Sequence, residues 1–417
     1  MVSNIRTDGA RLWASLMEMA RIGANANGGV NRIALTDEDR EARDLFTRWC
    51  EEAGCTVAVD RFGNMFARRP GRDPALPPVL VGSHLDSQPT GGKFDGAYGV
   101  LAGLEIVRTL AETGTWTERP IEIVNWTNEE GAIYKPMIGS EVFIGAMPLE
   151  QAYAMPDPDG RPLEEALERI GYQGEAELWA YPVHCYFEAH IEQGPILERE
   201  GIQVGVVTGA GAQRWFSLRF TGQEAHAGPT PMDGRRDALA GAAEAVLAAR
   251  AIGRSVDGGR ATVGRLAPYP GSPNVIPGRV DMTVDFRHQD EDTLSSMASR
   301  FRDEVDRIAR DNGLEAELAE TVHIARVPFH PTLVGLVREA AERLGVSHMD
   351  IVSGAGHDAC NMARVIPTTM VFVPCENGIS HNERENASPA DLEAGCNVLL
   401  HAVLRAASMR EPIEMQT

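Results

Sequence analysis

Between Trp215 and Val322 the hydrophobic rhythm of the chain changes, and no other feature narrows the possible folds as far. Trp215 to Thr221 reads as a strand, Asp233 to Ile252 as an alanine-rich helix, and Arg260 to Leu266 and Arg279 to Phe286 as strands. Asp292 to Asn312 then reads as a helix and Leu314 to Val322 as a last strand. The order βαββαβ is that of a ferredoxin-like unit. On either side a different alternation runs. Thr36 to Gly54 has the marks of an amphipathic helix: a threonine able to cap, one face formed by Ala42, Leu45, Phe46, Trp49 and Ala53, and a glycine suited to the left-handed end. Val79 to Val81 and Ile121 to Trp126 read as buried strands, with helical Val100 to Thr113 between them. After about Arg326 come helical Leu333 to Leu344, the strand Thr368 to Val373 and helical Pro389 to Ala407. Alternating strands and helices predict an α/β layer. The two rhythms together predict a discontinuous domain, residues 1–212 and 327–417, with a smaller unit, 213–326, inserted into it.

A chain of 417 residues with 43% hydrophobic and 24% charged content can bury two cores and is ordinary for a soluble globular protein. Its formal net charge of −21 argues against nucleic acid or an anionic membrane as partner, since both repel an acidic surface. A small anionic substrate held by one or two placed arginines remains compatible with it. The six cysteines are scattered without a C-x-x-C pair, which fits a reducing compartment. Met1 to Ala20 alternates charged and apolar residues, so neither a signal peptide nor a membrane anchor is expected and the expected location is cytoplasmic.

The chemistry concentrates at strand ends. Val81-Gly82-Ser83-His84-Leu85-Asp86 is followed by Gly91-Gly92-Lys93-Phe94-Asp95-Gly96. A buried strand ending in histidine presents an imidazole at the carboxyl edge of the sheet, where open α/β sheets carry their sites. Asp86 lies on the same side and is expected to hydrogen-bond the other ring nitrogen of His84. Asn128-Glu129-Glu130-Gly131 follows the next strand; adjacent acids repel unless a cation lies beside them, and the pair reads either as a solvated loop or as one metal ligand beside one proton acceptor. His190, in Phe187-Glu188-Ala189-His190-Ile191-Glu192-Gln193, and His381, in Ser380-His381-Asn382-Glu383, sit in further apolar-run ends and loops. A single histidine is more often structural. Together His84, Asp95, Glu130, His190 and His381 make a mixed imidazole and carboxylate set without thiolate, suited to two divalent ions such as Zn, Mn, Co or Ni.

With these motifs in view, the sequence resembles the N-carbamoyl-L-amino-acid hydrolase and allantoate amidohydrolase family, within the dinuclear aminoacylase-like metallopeptidases. The resemblance runs over nearly the whole chain and rests on G-S-H-L-D-S, G-G-K-F-D-G, N-E-E-G, H-I-E-Q-G-P, G-Q-E-A-H-A-G-P-T-P-M, P-N-V-I-P-G, D-F-R, G-A-G-H-D-A and S-H-N-E. It implies a metallopeptidase-type catalytic domain whose inserted unit is a lid and dimerisation domain. It further implies that Asp95 bridges two metal ions, that His84, Glu130, His190 and His381 complete their ligands, and that Glu129 is the general base. By the same resemblance His226 acts across a homodimer, Asn274 and Arg287 hold a substrate carboxylate, and Gln193 and the loop Gly354 to Gly356 make polar contacts to the scissile amide. His357 is expected to line the pocket or support a ligand. His184, His288, His323, His330, His348 and His401 fall in no motif and read as structural or exposed. Where the family commonly has Arg-Phe after N-E-E-G, this chain has Ala132-Ile133-Tyr134-Lys135-Pro136, and Glu141 stands where a small residue is usual.

The expected activity is hydrolysis of an N-carbamoyl-L-amino acid to the amino acid, ammonia and carbon dioxide. Allantoate and N-carbamoyl-β-alanine are alternative substrates of the same site, a dipeptidase or aminoacylase is a more distant alternative, and a non-catalytic metal-binding dimer is the reading outside enzymes. Loss of Glu129 or of a ligand would mark the last, and none is lost.

Overall fold

The computed structural model describes residues 4–177 and 182–415. The chain divides into two compact units, one formed by the residues up to Gly209 and from Pro328 onward, the other by Ala210–Val327.

The first unit is built on a nine-stranded sheet. In chain order its strands are β1 (Thr56–Val59), β2 (Met65–Arg69), β3 (Val79–His84), β4 (Ile121–Trp126), β5 (Cys185–Ile191) and β6 (Val204–Ala210). The second unit contributes β7 (Ala212–Thr221), β8 (Ala225–His226), β9 (Arg260–Tyr269), β10 (Val275–Ile276), β11 (Arg279–His288) and β12 (Glu315–Ile324). After it, β13 (Val327–Pro328), β14 (His348–Ser353) and β15 (Thr368–Val373) return to the large sheet. Its order is β1-β2-β4-β3-β5-β15-β6-β13, with β14 beside β6. The four central strands β4, β3, β5 and β15 are parallel. Every residue of all four is buried, the pattern of strands covered on both faces. The helix Ala97–Glu112 crosses from β3 to β4, and the helix Pro389–Ala407, capped by Ser388 and with proline in its first turn, packs against β15. Because the central strands are parallel, their carboxyl ends share one edge, and the loops following β3, β4, β5 and β15 meet there.

The second unit has the four-stranded order β12-β7-β11-β9, antiparallel throughout. With the helices Ala238–Arg254 and Glu291–Asp311 this is the ferredoxin-like βαββαβ arrangement. Along β11 the side chains alternate: Val280, Met282, Val284 and Phe286 are buried with Phe216, Phe301 and the helix stripe Leu294, Met297, Ala298, Val305 and Ile308. The first helix begins at Ala238 rather than Asp233, because Gly234 takes a left-handed φ of 80° and the Asp237 carboxylate accepts the N–H groups of Leu239 and Ala240 as the cap. The β1–β2 hairpin, β6, β14 and the short helices between Ile138 and Ile170 carry no periodic signal long enough to be expected. Those helices form a satellite core with Leu35 and Phe62.

All six cysteines are free. Among the described residues no helix is long and apolar enough to cross a membrane.

Two glycines test this packing in opposite directions. A methyl at Gly82, in the middle of β3, would lie 2.0 Å from the Val124 carbonyl oxygen of the neighbouring strand, whereas one at Gly335, inside the helix Pro331–Leu344, meets nothing within 4 Å. Urea unfolding should show Gly82→Ala destabilising by about 1–3 kcal/mol or more through overpacking. Gly335→Ala should stabilise by about 0.5–1 kcal/mol through lost backbone freedom in the unfolded chain.

Candidate metal centre

His84 is the last residue of β3 and His190 the sixth of β5, so two buried imidazoles stand at adjacent strand ends, with ring centroids 6.0 Å apart. Asp95 lies in the turn after β3 with its Oδ1 3.5 Å from His84 Nε2 and 3.1 Å from His190 Nε2. Its Oδ2 is 3.7 Å from Nε2 of His381, which in turn is 3.2 Å from Glu130 Oε2. Two groups result, His84, Asp95 and His190, and Asp95, Glu130 and His381, each with donor atoms within 4.8 Å of one another and with Asp95 common to both. Glu129 completes the cluster, its Oε2 3.5 Å from His84 Nε2. The loops reach this edge by sharp turns: Asn128, Gln193 and His381 all adopt a left-handed φ, 58°, 56° and 52°.

Asp86 does something other than expected. The Nδ1 of His84 lies 2.9 Å from the backbone carbonyl of Asp86, while the carboxylate is 3.7 Å away. That carboxylate instead accepts the backbone N–H groups of Glu129 (3.2 Å) and Glu130 (3.1 Å), so it seats the Glu-Glu pair. A main-chain carbonyl is enough to orient the ring, which frees the side chain for the loop.

The charges explain one another. Burial opposes a proton on His84, yet the facing Glu129, Asp95 and Asp86 outweigh it and hold the imidazole well above the ordinary histidine range. Burial likewise works against the Asp95 charge, but His190 and His84 hold its carboxyl well below the usual range. Burial raises Glu129 well above that range, against the pull of His84 and with help from Asp358, Glu130 and Asp86. The hydrogen bond and charge of Glu130 push His381 up to about 9. His84 Nε2 is a buried donor atom with no hydrogen-bond partner, directed into a set of carboxylates. An orphaned imidazole nitrogen among acids, without thiolate, fits a divalent cation of the borderline or hard kind.

Gln193 donates from Nε2 to Asp95 Oδ2 at 2.7 Å. His357 stands just before the short helix Asp358–Met362, packs edge-on against His190 with centroids 4.6 Å apart, and is held well below the histidine range by burial and by His190. Gly356 lies against the Met137 side chain. His226, Asn274 and Arg287 belong to the second unit: His226 is exposed on β8, Asn274 sits just before β10 and accepts from Ser272, and Arg287 on β11 pairs with Asp285 at 2.9 Å. Of the unassigned histidines, His184 is buried and lowered to about 4 by desolvation, and His323 pairs with Glu291 at 2.7 Å.

Four groups at this edge were not expected. Gln88 donates to both the carboxylate and the carbonyl of Glu130, and Glu188 accepts from Ser83 at 2.6 Å beneath the site. Ser380 and Glu385 engage the Asp95 turn. Glu188 was within reach of sequence reasoning, being two residues before His190 on a strand and thus on the same face. Glu385 lies past the S-H-N-E motif in a loop with no periodicity, and only the folded chain brings it to Asp95.

The profile of peptidase family M20/M25/M40 matches residues 80–405. An N-carbamoyl-L-amino-acid amidohydrolase of Rhizobium meliloti is 50% identical over 410 residues, spanning 98% of this chain and 99% of that protein. Allantoate amidohydrolase of Bacillus subtilis is 34% identical, spanning 93% of this chain and 95% of that protein. Among solved structures, an amidase of the hydantoinase/carbamoylase family from Burkholderia multivorans superposes with a TM-score of 0.93 at 57% identity, covering 98% of this chain and all of that one. The chain belongs to the peptidase M20/M25/M40 family, among its hydantoinase/carbamoylase-type members.

Proposed function

We propose that this protein hydrolyses an N-carbamoyl-L-amino acid to the amino acid, ammonia and carbon dioxide, with two divalent metal ions held by His84, Asp95, His190, Glu130 and His381. The observation that carries the reading is the sharing of Asp95 by two ligand groups beside a buried Glu129. The name of the Rhizobium meliloti relative supports the substrate class.

A ureido carbonyl is a poor electrophile. When bound, the cations would supply Lewis acidity to that carbonyl and to the attacking water. Glu129, with its raised proton affinity, takes the proton from the water as the oxygen attacks the ureido carbon. It returns that proton to the departing nitrogen as the C–N bond breaks. The carbamate that remains loses carbon dioxide, so one water and one carbamoyl amino acid yield ammonia, carbon dioxide and the free amine. Arg287 and Asn274 receive the substrate carboxylate, Gln193 and the Gly354 to Gly356 loop orient the amide, and His226 donates to the developing oxyanion. The second unit serves as lid and dimerisation domain, so that His226 of the partner subunit completes each site.

Ammonia release from metal-reconstituted enzyme should be fastest with N-carbamoyl-L-amino acids and slower with allantoate, N-carbamoyl-β-alanine and dipeptides. A clear preference for allantoate would instead favour the activity named for the Bacillus subtilis relative. Glu129→Gln keeps the shape but cannot take a proton: it should retain metal by elemental analysis and lose about 10²–10⁴-fold in kcat. For the shared site, His226→Ala and Glu129→Gln chains, each nearly inactive, are mixed and subunit exchange is followed by mass. One site of a mixed dimer then carries both lesions and the other neither, so about a quarter of wild-type activity should return. No recovery after verified exchange would mean that His226 does not act across the dimer.

A further inference from the structure

Asp95 can serve two ligand groups only if its carboxylate points between them, and the turn that carries it contains three glycines and no regular structure of its own. What holds that turn comes from far along the chain. Glu385, only 3% exposed, lies in the loop after β15. Its Oε1 accepts the backbone N–H groups of both Phe94 (2.9 Å) and Asp95 (3.1 Å), which fixes the peptide planes on either side of the Phe94 Cα and so the backbone that carries the Asp95 side chain. Its Oε2 lies 3.2 Å from Ser380 Oγ, and that hydroxyl donates to Asp95 Oδ2 at 2.6 Å. Glu385 thus holds the Asp95 main chain and lies beside the hydroxyl that bonds the Asp95 side chain. Ser380 also directly precedes His381, so the same contacts fasten the His381 loop to the Asp95 turn. Glu385 is itself held by its own N–H to the Asn382 carbonyl at 2.9 Å. The carboxylate packs directly on Gly92: a methyl there would lie 2.0 Å from Glu385 Cδ, which accounts for the second glycine of G-G-K-F-D-G.

We propose that Glu385 is a positioning residue that aims the Asp95 carboxylate between the two ligand groups and ties the His381 loop to it. The proposal rests on the reading of Asp95 as the shared metal ligand. A purely structural loop anchor would affect folding stability; a positioning residue acts on metal affinity and on the chemical step.

The test uses the full chain as wild type, Glu385→Ala, Glu385→Gln, Gly92→Ala and Asp95→Ala. Each is stripped with chelator, melted as the apo form, and titrated with Mn²⁺ and with Zn²⁺ by competition against a chromophoric chelator. Glu385→Ala should weaken metal binding by about 10–100-fold, as loss of an outer hydrogen-bonding partner typically does, while the apo form still melts cooperatively. Reconstituted at saturating metal, it should lose kcat with KM little changed. Glu385→Gln, which keeps an acceptor for the two amides but can place an NH₂ against Ser380, should fall between. Gly92→Ala should weaken metal binding, because its methyl would overlap the Cδ, Oε1 and Cβ of Glu385 and displace that side chain. A folded Glu385→Ala with wild-type metal affinity would overturn the proposal and leave the metal reading intact. Asp95→Ala binding two equivalents as tightly as wild type would instead overturn the metal reading itself.

Discussion

A carboxylate is stable inside a protein only where something answers its charge, and at Asp95 the answer comes from two histidines on neighbouring strands. Placing those imidazoles within 3.5 Å of one aspartate requires β3 and β5 to be hydrogen-bonded neighbours running in the same direction. Parallel neighbours in turn require crossovers, and the chain passes from β3 through the helix Ala97–Glu112 and β4 before it reaches β5; both strands are buried along their whole length. The geometry of a few atoms at the strand ends therefore depends on the topology of the whole first unit.

Beneath the cluster lies a further layer of acids. Glu188 is fully buried and answered by the Ser83 hydroxyl and the Ala359 amide, and Asp358 by the Ser140 hydroxyl. Asp86 answers two more amides under the Glu-Glu pair. Neutral donors satisfy these groups, and burial lifts Glu188, Asp358 and Glu129 above the ordinary carboxylate range. Acids crowded together, each raised by burial and by its neighbours, fit a multivalent cation beside them.

The segment that departs from the family pattern is answered within its own loop. Lys135 and Glu141 pair at 2.5 Å, and Tyr134 is buried in the satellite core with Phe62, Ile138 and Leu163. The Lys135 carbonyl accepts from Asn128 and the Met137 N–H donates to the Glu129 carbonyl, so the loop closes back on the Glu-Glu pair. The loop is thus tied together by its own side chains and to the Glu-Glu pair by backbone groups.

The sequence alone determined the fold class, because period-2 and period-3.6 patterns are local and survive in any chain that must bury one face. The helix Pro389–Ala407 and the strands Ile121–Trp126 and Thr368–Val373 were legible to the residue for that reason. It also named His84, Asp95, Glu130, His190 and His381, in short motifs at strand ends and turns, which the folded chain gathers into two groups able to hold a metal ion. What it could not contain was the set of contacts between segments distant along the chain. That the Asp86 side chain serves the Glu-Glu loop rather than His84, that Glu385 grips the Asp95 turn, and that Gly92 is small because Glu385 lies on it were decided by tertiary structure. The physical reason is that a hydrogen bond depends on where two groups meet in space, and about three hundred residues separate Asp95 from Glu385 until parallel strands bring their loops to one edge.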